Sequence, residues 1–350
     1  MKLFDAHLDL AMNALEWNRD YTRPLAEIRA RELGWTDKPD RGNGVISFEE
    51  MKNAGARICV ATQIARYVEK SNPLPGWHSP AQAWAQTQGQ LAWYQEMERQ
   101  GYLTQLRDWH SLKAFWDQEE VSSIGYILSL EGADSIVSID HLELAYAQGL
   151  RAVGPAHYGP GRYAFGTDSD GPLPKRGKEL LKKMGELGII LDVTHLSDTC
   201  FWEALDVYEG PLWASHHLCR TLTPHNRQLS DDMIQAIFTR GGVIGLALDA
   251  WMIVPGWERG KSTPKSTGVS FEHVYQHLDH LAQLAGHLHQ IGLGTDLDGG
   301  FGHEQTPIEM KQYGDLRLFS QLLQNKGYSS KAIEGIWGEN WMNFLQKAWS

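Results

Sequence analysis

Residues Lys178 to Ser197 read KELLKKMGELGIILDVTHLS, and the two halves of this stretch follow different patterns. Over Lys178–Leu187 the apolar residues recur at three- and four-residue steps, which predicts a helix. Ile189–Val193 is then a short, nearly continuous apolar run of the kind that forms a strand buried on both faces of a parallel sheet, and His195 follows it. The same unit recurs in both directions along the chain. Seven further runs fit it: Lys2–Ala6, Arg57–Ile64, Ile124–Leu130, Arg151–Ala156, Leu212–Ser215, Val243–Leu248 and Ile291–Thr295. Helix-sized stretches separate them, and Asp231–Phe238 with Ser230 as its N-cap is a second clear helix. Eight strand–helix repeats predict the α/β class and a (β/α)8 TIM barrel. The extra length falls in residues 11–55 and 65–121, expected as helical insertions, and in 300–350, a C-terminal helical extension. None has linker composition, so residues 1–350 read as one barrel domain.

Composition narrows the function classes. Lys and Arg number 32 against 43 Asp and Glu, and a net charge of −11 with no basic stripe argues against nucleic acid as a partner. Hydrophobic residues at 42% and charged residues at 21% describe a globular chain with enough material for a core. No apolar run reaches membrane-spanning length, and Asp5, His7 and Asp9 arrive before a signal-type stretch can form. The expectation is a soluble, cytoplasmic protein without membrane contact. Cys59, Cys200 and Cys219 are too few and too scattered for a disulfide framework and read as small buried hydrophobes.

In a barrel of this kind the residues that end the strands face the active-site mouth. Here those positions hold His7 and Asp9, Glu131, His157, His195, His216, Asp249 and Asp296, with Asp298 just beyond. Residues i and i+2 of a strand share a face, so His7 and Asp9 can reach one ion from a single segment. Imidazoles mixed with carboxylates suit zinc and its neighbours rather than calcium or magnesium. Five ligands, His7, Asp9, Glu131, His195 and His216, are too many for one four-coordinate zinc with an open position. Two metals sharing a carboxylate accommodate them. Glu131 is the natural bridge, because its strand lies between the two ligand groups and no lysine ends any strand.

Taken in order, His7-x-Asp9, Ser129-Leu130-Glu131-Gly132, Asp192-Val193-Thr194-His195-Leu196-Ser197, Ala214-Ser215-His216 and Gly294-Thr295-Asp296-Leu297-Asp298-Gly299 resemble the membrane (renal) dipeptidase family of zinc peptidases. Arg227-Gln228-Leu229-Ser230-Asp231-Asp232 also fits that family's pattern after its second metal histidine, and the resemblance runs from residue 5 to about residue 300. It implies a barrel fold and two zinc ions per chain, with His7 and Asp9 on one, His195 and His216 on the other, and Glu131 and a water or hydroxide bridging them. It further implies that His157 polarises the substrate, that Arg227 anchors its carboxylate and that Asp296 is the catalytic aspartate. The implied activity is hydrolysis of small dipeptides, with tolerance of a D-residue at the C-terminal position and a homodimeric assembly.

Two segments depart from the family pattern. The loop after His157, YGPGRYAFGTDSDGPLP, is rich in Gly, Tyr and Asp, and strand seven ends in Asp249-Ala250-Trp251 where a neutral lining is expected. Asp249 therefore raises the expectation of a basic substrate side chain. His273, His277, His280 and His287 lie along one predicted helix, Ser270–Gln290, without the spacing of a metal site. The alternatives are another two-metal barrel hydrolase, acting on a lactone, cyclic amide or N-acyl amino acid, and a catalytically silent binding protein.

Overall fold

The computed structural model describes residues 1–69, 72 and 74–349. The helix of the opening stretch runs Lys175–Leu187, burying Leu180, Leu181 and Met184 on one face. It stops at Gly188, whose φ of +69° is left-handed, a conformation that costs glycine nothing. A fully buried three-residue strand, Ile190–Asp192, follows at once.

The described strands are β1 (Leu3–Leu8), β2 (Ala56–Ile64), β3 (Leu103–Gln105), β4 (Ile124–Glu131), β5 (Leu150–Gly154), β6 (Ile190–Asp192), β7 (Leu212–His217), β8 (Ile244–Leu246) and β9 (Ile291–Leu293). They pair in parallel in the order β2-β1-β9-β8-β7-β6-β5-β4, and a long β2–β4 register closes these eight into a barrel with helices around it. β3 is an added strand in a segment expected to be wholly helical. It pairs with the first three residues of β4, and β5 takes over that edge from Leu128. The helices Pro80–Arg99 and Trp109–Asp117 flank it.

The inward-facing residues form their own apolar cluster, with Phe4 and Ala6 of β1, Ile58 and Val60 of β2, Ile127, Ala152, Ile190 and Trp213 in contact inside the barrel. Trp341, from the C-terminal helix Asn340–Ala348, closes this core at the end opposite the strand C-termini. It stacks on Phe4 at 5.8 Å and meets Trp213 edge-on at 5.7 Å, and its indole Nε1 donates to the Leu293 carbonyl at 3.1 Å. The extension is thus the floor of the barrel. Close packing also fixes the far side: a Cβ on Gly245 of β8 would stand 2.0 Å from the Ser215 carbonyl oxygen, so only glycine fits between β7 and β9 there.

The three cysteines are buried free thiols, as expected. Among the described residues no helix is long and apolar enough to cross a membrane.

Candidate active site

β1 carries His7 to the barrel mouth, and Asp9 follows as the residue that starts the helix Leu10–Glu16. Glu131 is the last residue of β4, and His216 lies in β7. The other chemical residues sit past their strand ends, where the backbone leaves the ladder. His195 and Asp296 hold φ of +68° and +58°, which costs a non-glycine residue about 1–3 kcal/mol and marks a functional mouth more often than a packing corner. One carboxylate indexes two of these segments: Asp192 Oδ1 accepts from Thr194 N at 3.0 Å and Ser215 N at 3.1 Å, placing the turns that carry His195 and His216.

The five residues expected as metal ligands converge. Glu131 Oε1 lies 3.2 Å from His195 Nε2 and 3.4 Å from His216 Nε2. Glu131 Oε2 lies 3.7 Å from His7 Nε2 and 3.9 Å from His157 Nε2. His7 Nε2 is 3.8 Å from both Asp9 Oδ2 and Asp296 Oδ1. His7 Nε2 and Asp9 Oδ1 are fully buried and have no hydrogen-bond partner, which is the condition of atoms that face an ion. Behind the rings, Thr167 Oγ1 meets His195 Nδ1 and Ser215 Oγ meets His216 Nδ1, each at 2.9 Å. With Nδ1–H donating to those hydroxyls, the Nε2 lone pairs of both rings face the centre. The donor set therefore fits divalent metal ions. Among the described residues, the His, Asp and Glu groups that could hold an ion all lie at this mouth.

The electrostatics agree with a centre built for positive charge. Burial opposes charge on His7, but Glu131, Asp9 and Asp296 outweigh it and lift its pKa to about 10. Burial, with Asp9 nearby, raises Glu131 to about 7 although His7 pulls the other way. Burial also raises Asp296, and it lowers His157, His195 and His216, with Arg227 adding to all three.

A cavity of about 340 Å³ opens over these groups. Arg227 lies in its wall, buried, with Nη2 donating to the His216 carbonyl at 3.0 Å and Nη1 left without a partner. His157 and Asp296 line the same cavity. Asp249 does too, but its carboxylate is already engaged: Gln305 Nε2 donates to Oδ1 at 2.8 Å, and Arg259 Nη2 stands 3.5 Å from Oδ2. The carboxylate expected to favour a basic substrate side chain thus already has a cation of the chain itself beside it. Asp298 points away from the centre and takes Val45 N at 2.8 Å and Ile46 N at 3.2 Å, pinning the first insertion to the barrel.

Two residues of the site escaped the sequence reading, Arg66 and Arg259. Arg259 lies 4.6 Å over the Trp251 ring and lines the cavity. Arg66 Nη2 reaches His157 Nδ1 at 2.6 Å. Both come from loops, where no periodic pattern announces them. The loop after His157 has a use that its composition hides, because it delivers Thr167 to His195.

The four histidines of the helix Phe271–Ala285 and its end do not converge. His277 is buried between Cys219 N and the Ile253 carbonyl, His280 pairs with Asp231 at 2.8 Å, His273 meets Ser270 and His287 stacks on His289.

Comparison with known proteins gives a consistent result. The family profile described as membrane dipeptidase (peptidase family M19) matches residues 1–349. Dipeptidase tcpJ of Claviceps purpurea is 28% identical over 231 residues, which cover 64% of this chain and 51% of that protein. An uncharacterized protein in the PQQ-III 3' region of Acinetobacter calcoaceticus is 24% identical over 319 residues, 87% of this chain and 96% of the other. The crystal structure of a metallo peptidase from Rhodobacter sphaeroides, liganded with a phosphinate mimic of the dipeptide L-Ala-D-Ala, shares the fold with a TM-score of 0.81 at 22% identity, covering 100% of this chain and 99% of that one.

Proposed function

The chain belongs to the membrane dipeptidase family, peptidase family M19, and from that membership we propose that it hydrolyses the amide bond of small dipeptides with two zinc ions held by His7, Asp9, Glu131, His195 and His216. The observation that carries the reading is the division of Glu131, whose Oε1 faces His195 and His216 while Oε2 faces His7. One carboxylate addressing two ligand sets is what a bridging ligand requires. Bound there, two zinc ions would polarise the scissile carbonyl and lower the pKa of a bridging water towards about 7.

The chain's own groups do the rest. Arg227 offers its unpartnered Nη1 to the free α-carboxylate of the substrate, which favours very short peptides and gives a lactone or cyclic amide nothing to hold. His157 Nε2 donates to the carbonyl oxygen as negative charge develops on it, an interaction strongest in the transition state. Asp296 takes the proton of the attacking water and returns it to the departing amine. A D-residue at the C-terminal position fits this scheme, because Arg227 recognises the carboxylate and not the side chain beside it. The ligand of the Rhodobacter sphaeroides relative supports that extension.

The test is metal content by elemental analysis after zinc reconstitution, followed by turnover of a panel of dipeptides with L- and D-residues at the C-terminal position. Two zinc ions per chain and cleavage of free dipeptides, but not of C-terminally amidated ones, are expected. Fewer than two ions, or equal cleavage of the amides, overturns the reading.

A further inference from the structure

His157 has two ring nitrogens, and its use as a hydrogen-bond donor to substrate depends on which one carries the proton. Arg66 Nη2 lies 2.6 Å from Nδ1. A guanidinium has only donors, so at this distance Nδ1 must present its lone pair. The proton of the neutral ring is then on Nε2, the nitrogen that faces Glu131 Oε2 at 3.9 Å across the centre. A protonated His157 would set N–H against N–H and is excluded by the same contact.

Arg66 is itself built in. It follows β2 by two residues, its Nη1 donates to the Pro75 carbonyl at 3.0 Å, and its own carbonyl accepts from Trp77 N at 2.8 Å. His157 is held from its backbone as well, where its carbonyl accepts from Thr167 N at 2.9 Å. Gly132 leaves room for the start of this side chain: a Cβ there would come within 3.3 Å of His157 Cβ. Arg66 stands behind His157 and not among the residues that line the substrate cavity, and its hydrogen bond towards the site is the one to His157.

We propose that Arg66 is a positioning residue that locks His157 in the neutral Nε2–H tautomer, so that a donor and not a lone pair faces the substrate carbonyl. The proposal rests on the dipeptidase reading for the role of His157, but the tautomer itself can be measured apart from it. His157 on this account stabilises charge by a hydrogen bond and does not transfer its proton.

The experiment is two-bond proton–nitrogen correlation NMR of the full chain labelled with ¹⁵N-histidine and free of metal, alongside kinetics of the zinc-reconstituted enzyme. The wild type should show His157 as Nε2–H with Nδ1 bare. Arg66→Met should release the ring into a tautomer mixture and lower kcat by about tenfold or more with KM changed by less than about threefold, as expected when an oxyanion donor is misplaced. Arg66→Lys, another donor without acceptors, should keep the tautomer and restore most of kcat, and it also serves if the methionine variant does not fold. In a His157→Asn background, Arg66→Met should cost no further kcat. A wild-type His157 carrying its proton on Nδ1, an unchanged tautomer in Arg66→Met, or additive losses in the double variant would each overturn the proposal. A wild type that cleaves no dipeptide sinks the functional reading instead, and leaves the tautomer result standing.

Discussion

Glu131 is a buried carboxylate and Asp296 a largely buried one, both with raised pKa values and within reach of His7, yet the proposed mechanism gives them separate tasks. Glu131 reaches both ligand sets at 3.2–3.7 Å, whereas Asp296 stands 3.8 Å from His7 and within 4.8 Å of a His216 ring nitrogen and lines the cavity. Asp296→Asn should therefore keep both zinc ions and lose roughly 10²–10⁴ of kcat, the scale of a general acid–base group, and metal analysis of the variant beside its turnover checks this. Full activity in that variant removes Asp296 from the mechanism. Arg259 gives a second test at this scale. Burial raises Asp249 to about 6 and Arg259 opposes that rise, so the pair is close to neutral towards substrate. Arg259→Gln removes the cation beside Asp249 Oδ2 at the cavity wall, while Gln305 still holds Oδ1. The ratio of kcat/KM for dipeptides with a lysine side chain over those with norleucine should then rise about fivefold, the worth of one partly screened charge contact. An unchanged ratio means that the substrate side chain does not reach this wall.

At the scale of elements, the helix Phe271–Ala285 is tied to the site's outer shell by His277. Its Nδ1 accepts from Cys219 N at 3.1 Å, and Nε2–H donates to the Ile253 carbonyl at 3.0 Å. Burial lowers its pKa from 6.5 to about 4. The unfolded chain therefore binds a proton on this residue below about pH 6.5 while the native state does not. The stability it contributes is present above pH 6.5 and is lost as pH falls towards 4, by up to roughly 3 kcal/mol. Urea titrations of the metal-free protein between pH 7 and 4 should show this slope reduced in His277→Gln, and parallel curves for the two proteins count against it. The same scale shows what a sequence can disclose. A strand end is set by the apolar run before it, so His7, Glu131, His157, His195 and His216 were legible together. The runs overstate the strands, however. Val243–Leu248 yields only Ile244–Leu246, and Ile291–Thr295 only Ile291–Leu293, because the chain leaves the ladder to deliver Asp249 and Asp296. Leu103–Gln105 was hidden because Leu-Thr-Gln offers one apolar residue and is too short for an alternation, and its strand state comes from the β4 edge it meets. Arg66 and Arg259 were hidden for a related reason. Loop paths are decided by tertiary contacts, which no local period reports.

Over the whole molecule, the barrel separates the end that performs chemistry from the end that supplies stability. Among the described residues, the His, Asp and Glu groups that could hold an ion sit at the C-terminal ends of the strands, while Trp341 and its neighbours fill the opposite end. The two ends are nevertheless connected by rigid strands: Trp341 packs on Phe4, three residues before His7, and bonds Leu293, three residues before Asp296. The question is whether the floor transmits its packing to the site or only holds the barrel shut. A three-residue β9 that continues into a left-handed Asp296 has its mouth end fixed independently, by Asp5 accepting from Thr295 N at 2.8 Å and from Thr295 Oγ1 at 2.6 Å. That local clamp should insulate Asp296 from loss of the floor. Trp341→Ala should then cost about 3–5 kcal/mol of stability, as removal of a buried tryptophan does, with kcat and KM within about twofold of wild type at temperatures where the variant stays folded. Denaturant unfolding and steady-state kinetics at one such temperature provide the check. A large fall in kcat without unfolding would mean that the Asp5–Thr295 clamp does not isolate the site, and that the floor of the barrel is part of its active-site geometry.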